Sequence, residues 1–141
     1  MYTRLTPEFA DTREGAEAKQ LIRKCVHCGF CLATCPTYQV LGDERDSPRG
    51  RIYLIKQMVE GGPASETTQL HLDRCLTCRA CETTCPSGVE YGRLLDLGRD
   101  LVEHRIGRSI REAWLRTALA QTLSNRRIAK ALVGVGRTVA A

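Results

Sequence analysis

Aromatic side chains are scarce in this sequence: one Trp, two Phe and four Tyr among 141 residues. A core built on large rings is excluded, and the stacking surfaces that single-stranded nucleic acid needs are missing. No nucleic-acid motif is present either, so no nucleic-acid partner is expected. No run of 18 apolar residues occurs, which leaves no candidate membrane-spanning helix. Met1 to Lys24 lacks an apolar stretch and mixes Glu8, Asp11, Glu14 and Glu17 with basic residues, unlike a secretory signal. The expected location is therefore cytoplasmic. Strand signals are also absent: no alternating Val/Ile/Thr/Tyr run is bounded by hairpin turns. No Ser/His/Asp or Cys/His set stands out, so no catalytic centre for a substrate is expected in this chain.

Cysteine, by contrast, is abundant and ordered. All eight cysteines fall in two copies of one run, Cys25-x2-Cys28-x2-Cys31-x3-Cys35-Pro36 and Cys75-x2-Cys78-x2-Cys81-x3-Cys85-Pro86. Each member of the second copy lies 50 residues after its counterpart. In a chain with no secretory signal, such clusters favour metal over disulfides. The C-x2-C-x2-C-x3-C-P run is the spacing of ferredoxins with two 4Fe–4S clusters, in which the fourth cysteine ligates the other cluster. Cluster one is therefore assigned Cys25, Cys28, Cys31 and Cys85, and cluster two Cys75, Cys78, Cys81 and Cys35. A four-thiolate zinc site is the alternative, but it leaves the third cysteine of each run unexplained. All eight thiols are present, which gives no reason to expect a 3Fe–4S centre. His27, Thr77, Arg79, Thr34 and Thr84 are candidates to tune the clusters by hydrogen bonding, against a plain role in loop packing. Arg49 and Arg51 either offset cluster charge or form a solvated helix face, and His71 and His104 read as surface residues.

The rest reads as helix. Thr6-Pro7 is a cap followed by Pro, and Glu14 to Lys24 runs helically into the first cysteine run with Ala18, Leu21 and Ile22 inward. Ser47-Pro48 opens a helix to about Glu60, with Ile52, Ile55, Met58 and Val59 as its apolar face, and Gly61-Gly62-Pro63 stops it. A helix over residues 66–74 delivers Cys75. Ser87 and Glu90 form a capping box for a helix to about Glu103, with Leu94, Leu97, Leu101 and Val102 inward. Ser109 and Glu112 form another, opening a tail helix with Trp114, Leu115, Ala118 and Leu119. Ser124-Asn125 interrupts it before Ile128, Leu132 and Val135. The expectation is an all-α fold, an alpha-helical ferredoxin with its two clusters in pseudo-two-fold arrangement. Residues 1–104 would form that domain and residues 105–141 a basic amphipathic helical tail. Charge divides at the same point. Up to His104, 13 Lys and Arg face 15 Asp and Glu, a net −2; beyond it, 8 face Glu112 alone, a net +7. The tail is expected to dock on protein or to touch an anionic membrane face peripherally.

Three stretches carry more than the cysteines: Arg23 to Tyr38 (RKCVHCGFCLATCPTY), Ser47 to Lys56 (SPRGRIYLIK), and His71 to Val89 (HLDRCLTCRACETTCPSGV) with Leu94 to Arg99 (LLDLGR). Over about residues 5–115 the chain resembles the iron–sulfur subunits of bacterial glycolate oxidases (glycolate dehydrogenases). The wider group includes lactate-utilisation, anaerobic glycerol-3-phosphate dehydrogenase and heterodisulfide reductase proteins. The resemblance implies an electron relay: an FAD-containing partner oxidises a 2-hydroxy acid such as glycolate, and electrons pass singly through the clusters toward a quinone or similar acceptor. A peripheral place on the inner face of the plasma membrane would suit that acceptor. Members of the family continue into Cys-Cys-Gly repeats, which this sequence lacks; the expectation is a truncated or short form, or repeats on another chain. A regulatory or assembly metal module without a redox partner is the alternative of another class.

Overall fold

A computed structural model describes residues 1–130 and 133. The chain divides into two compact units, Met1–Ile106 and Gly107–Ala141. The elements of the first unit are α1 (Pro7–Ala10), α2 (Arg13–Lys24), α3 (Pro36–Leu41), α4 (Pro48–Val59), α5 (Glu66–Asp73), α6 (Ala80–Thr83) and α7 (Tyr91–Ile106). No strand occurs among the described residues, as the missing alternation implied.

Side-chain caps start several of these helices. The Thr12, Ser47 and Ser65 hydroxyls accept from the N–H groups of Gly15, Gly50 and Thr68, satisfying donors a free helix end would leave open. Pro48 then supplies a preset φ at the first turn of α4. The expected Gly61-Gly62 stop is present: Gly61 N–H donates to Met58 O and Gly62 N–H to Gln57 O.

The core lies between α2, α4, α5 and α7. Ile22, Ile52, Ile55, Met58, Leu72, Leu94, Leu95 and Val102 are buried in it. Each such side chain contributes about 1.5–3 kcal/mol on leaving water. Helices α4 and α7 approach closely because Gly98 has no side chain. A Cβ there would lie 2.5 Å from Ile55 Cγ1.

Three expectations need correction. Helix α7 begins at Tyr91, not at a Ser87 capping box. Gly88 takes a left-handed conformation (φ +59°), which the first turn of a right-handed helix does not accept, and Glu90 instead pairs with Lys24. The solvated helix face offered for Arg51 and the surface place expected of His71 are excluded: the two are 0% and 2% exposed. The partners that make their burial tolerable come from distant parts of the sequence. His104 is exposed, as expected.

In the second unit, α8 (Ile110–Ser124) is capped by Ser109, whose hydroxyl accepts from Glu112 N–H. Its apolar residues include the runs 113–115 and 118–120. At about 100° per residue these spread around the helix, and the expected single stripe does not form. Ile110, Trp114, Leu115, Leu119 and Leu123 are all exposed. Asn125 ends α8, and its side chain accepts from the N–H groups of Arg127 and Ile128 in the next helical turn. Leu132 and Val135 lie outside the described residues.

Candidate metal centres

The two cysteine loops repeat in backbone as well as in sequence. Cys25 N–H donates to Ile22 O and Cys75 N–H to Leu72 O. Leu32 and Glu82 donate to the carbonyls of Gly29 and Arg79, both at 2.9 Å. Cys35 and Cys85 donate to Leu32 and Glu82 in turn. The left-handed residues also match: His27 (φ 58°) with Thr77 (φ 54°), and Gly29 (φ 88°) with Arg79 (φ 57°). A β-branched or long residue is uncommon there and costs of order 1–3 kcal/mol. That conformation recurs at equivalent positions despite different side chains.

The loops part at their fourth cysteines. Cys35 caps α3, which starts at Pro36. Cys85 does not open a helix; Pro86 and Ser87 form a turn and α7 starts later.

Two cavities lie between the loops. The first is lined by Cys25, Cys28 and Cys31 of the first loop and by Cys81 and Cys85 of the second. The second is lined by Cys75, Cys78 and Cys81 of the second loop and Cys35 of the first. Cys81, Pro48 and Tyr91 border both. All eight cysteines are free thiols; Cys25, Cys35 and Cys81 are buried, and Cys28 and Cys78 are exposed.

Burial pushes the thiols of Cys25 and Cys31 up. It pushes Cys81 up to about 12, with the neighbouring Cys75, Cys31 and Cys35 adding to the shift. For Cys25 and Cys31 the opposing pull comes from the backbone N–H groups of His27 and Arg49. Crowded, half-buried thiolates repel one another, and a cationic core bound among them removes that cost. Four soft sulfur donors per cavity suit iron–sulfur clusters or zinc.

Around the second cavity stands a polar network that the residue pattern does not announce. Asp46 is fully buried. Its carboxylate accepts from Arg51 Nη2 (3.2 Å) and Arg74 Nη1 (3.2 Å), and His71 Nδ1 lies 3.0 Å away but out of line for a hydrogen bond. Arg51 also donates to His71 O (2.6 Å) and Thr37 Oγ1 (3.1 Å), and its Nη1 lies 4.0 Å from Cys35 Sγ. Thr37 Oγ1 is 3.2 Å from the same sulfur. Tyr91, buried against the thiols so that its phenol stays protonated, donates to Cys75 Sγ at 3.6 Å. The one sequence signal for this network is the Ser47-Pro-Arg-Gly-Arg51 stretch. Asp43, Asp46 and His71 stand close enough to hold a metal ion. Arg45, Arg51 and Arg74 already engage the two carboxylates and disfavour a further cation.

The other candidate tuning residues separate. Thr34 and Thr84 hydroxyls donate to carbonyls of their own turns, Cys31 O and Ala80 O. His27 lines the first cavity and packs edge-on to Tyr53. Arg79 lines the second and lies against Gly92. Arg49 reaches His27 O at 3.4 Å and pairs with Glu44.

Residues 21–89 match the family model of the 4Fe-4S dicluster domain. Over 136 residues the chain is 57% identical to the glycolate oxidase iron-sulfur subunit of Escherichia coli (strain K12), covering 96% of this chain and 33% of that protein. It is 44% identical over 111 residues to the probable glycolate oxidase iron-sulfur subunit of Bacillus subtilis (strain 168), covering 77% and 24%. It is 34% identical over 100 residues to a subunit of the dihydromethanophenazine:CoB–CoM heterodisulfide reductase of Methanosarcina mazei, covering 59% and 24%. The chain thus spans about a third or less of the length of these relatives. No solved structure matches it. The dicluster domain and the eight cysteines fit two 4Fe–4S clusters as the cofactors.

Proposed function

We propose, from its likeness to the glycolate oxidase iron–sulfur subunits and its match to the 4Fe-4S dicluster domain, that the chain relays electrons for a 2-hydroxy-acid oxidase. The donor would be an FAD-containing partner that oxidises glycolate to glyoxylate, and the acceptor a quinone. When bound, the clusters supply one-electron transfer, which a flavin that takes electrons in pairs requires.

The protein residues hold and space them. Cys25, Cys28, Cys31 and Cys85 hold the first cluster, and Cys75, Cys78, Cys81 and Cys35 the second. The observation that carries this reading is the pair of cavities: each is lined by three cysteines of one loop and the fourth of the other, and Cys81 lines both. The exchange makes each loop dependent on its twin, and the shared wall of Cys81, Pro48 and Tyr91 keeps the two sites adjacent. No helix among the described residues is long and apolar enough to cross a membrane. The basic charge beyond His104 supports peripheral contact with an anionic surface on the quinone side.

Anaerobically purified chain should be brown, with about eight iron and eight sulfide per molecule. A colourless protein with stoichiometric zinc would overturn the cofactor assignment. Capture of a flavoprotein partner, followed by cluster reduction on adding glycolate, tests the relay. A heterodisulfide reductase-type complex is the second reading, favoured by the Methanosarcina relative. A panel of glycolate, lactate and glycerol 3-phosphate separates the flavoprotein partners, and reduction by none of them favours that second reading.

A further inference from the structure

The two loops present matching backbones but unlike side chains, and that difference has an electronic consequence. Every side-chain donor placed on a cysteine sulfur, among the described residues, serves the second cavity. Tyr91 OH reaches Cys75 Sγ at 3.6 Å. Thr37 Oγ1 stands 3.2 Å from Cys35 Sγ, and the Arg51 guanidinium stands 4.0 Å from it. A metal-bound Cys35 carries no proton, so in these contacts the hydroxyl and the guanidinium are the donors. Thr37 has one proton and Asp46 O (3.0 Å) competes for it, so Arg51 and Tyr91 are the firmer pair.

The first cavity has a different lining. Val26, Phe30, Ile52 and Val89 supply apolar walls. Arg49, the one Lys or Arg in its lining, spends its donors on Glu44 and on His27 O. The backbone N–H groups of His27 and Arg49 face Cys25 and Cys31. His27 has its conformational twin in Thr77 of the other loop, so loop backbone is a poor source of difference between the centres.

Side-chain charge points the same way, while on the first side the Met1 ammonium donates to Cys25 O at 2.9 Å. Arg51 and Arg74 both engage the single carboxylate of Asp46, leaving a net positive group beside Cys35. At the first cavity Arg49 is matched one-to-one by Glu44. Donors to sulfur and nearby positive charge favour the reduced, more negative form of a cluster and so raise its potential.

Building on the relay reading, we propose that Arg51 and Tyr91 set the centre held by Cys75, Cys78, Cys81 and Cys35 at a higher reduction potential than its twin. With both clusters bound, the second centre would be the one reduced first. Arg51 and Tyr91 are positioning residues: they touch ligand sulfurs.

The test is a redox titration of the full chain, followed by EPR, after iron and sulfide have been counted. A count well below eight iron would defeat the relay reading itself. With eight iron present, two reduction steps are expected. Tyr91→Phe keeps the ring and removes one donor. It should lower the higher-potential step by about tenfold in its equilibrium, ~59 mV for one electron, and leave the lower step in place. Thr37→Val should lower the same step by less. Cys78→Ser identifies the centre, because it should alter the EPR signal of the species reduced first. A signal of that species unchanged by Cys78→Ser, or a Tyr91→Phe effect confined to the lower step or absent from both, overturns the proposal. Tyr91→Phe retains the packing, so its outcome does not hinge on the folding of an Arg51 variant.

Discussion

The two cysteine loops are near copies in backbone and opposites in surroundings. Their turn hydrogen bonds and left-handed residues recur at an offset of 50. Yet the second loop lies against a buried Arg–Asp network, whereas the first lies against aliphatic side chains and an exposed ion pair. Cysteine spacing thus dictates the shape of a site, and the spacer between the copies dictates its electrical setting. That spacer supplies Thr37, Asp46, Arg49, Arg51 and His71, and most of them fall on the second side.

The contrast can be broken most forcefully at the buried pair. Arg51→Met should cost about 3–5 kcal/mol, because it takes one of two guanidinium partners from a carboxylate buried away from water. Arg49→Met, which loses only an exposed partnership with Glu44, should cost at most ~1 kcal/mol. Anaerobic denaturant midpoints of the two variants measure the difference. Equal losses would mean that the buried network does not hold the second side together.

A smaller effect is expected at the left-handed pair. Gly29→Ala should cost about 1–2 kcal/mol, since a Cβ is disfavoured at φ 88°. Arg79→Ala, at the equivalent place, replaces one disfavoured Cβ by another and should change the backbone energy little. Thermal midpoints of both variants test whether the loops are energetic as well as geometric copies. In the core behind them, Gly98→Ala should cost about 1–3 kcal/mol through its clash with Ile55.

The smallest effect belongs to the Arg49–Glu44 pair. The Arg49 hydrogen bond holds the Glu44 carboxyl below its usual range. A depressed folded-state value means the pair stabilises above the ordinary carboxylate range, and the contribution is lost as pH falls through the lowered value. Because the pair is largely exposed, Glu44→Gln should remove less than ~1 kcal/mol of acid sensitivity between neutral pH and that range. Stability measured against pH in the two proteins checks it.

Much of this was legible in the residues. Cap-and-Pro pairs and 3.6-residue spacing marked α4 and its buried face, because both signals are local. The cysteine runs marked both loops for the same reason. What stayed hidden depends on distant partners. Arg51 reads as a charge that either faces water or offsets a cluster, and only the fold brings it to Asp46, Thr37 and His71 O. His71 reads as a surface histidine until α5 turns it inward. The Ser87 box failed through a local fact given too little weight: Gly88, the next residue, is free to adopt a conformation that a helix start refuses. The stripe expected in α8 failed because its apolar residues sit in consecutive runs, which wind around the helix.

At the centre stands the claim that each loop lends its fourth cysteine to the other site. Cys35→Ser in the full chain tests it most directly, by iron count and EPR against Cys85→Ser. Cys35→Ser is predicted to damage the centre of Cys75, Cys78 and Cys81, and Cys85→Ser that of Cys25, Cys28 and Cys31, each leaving the other signal intact. Loss of the first-loop centre in Cys35→Ser, with the second intact, would contradict it.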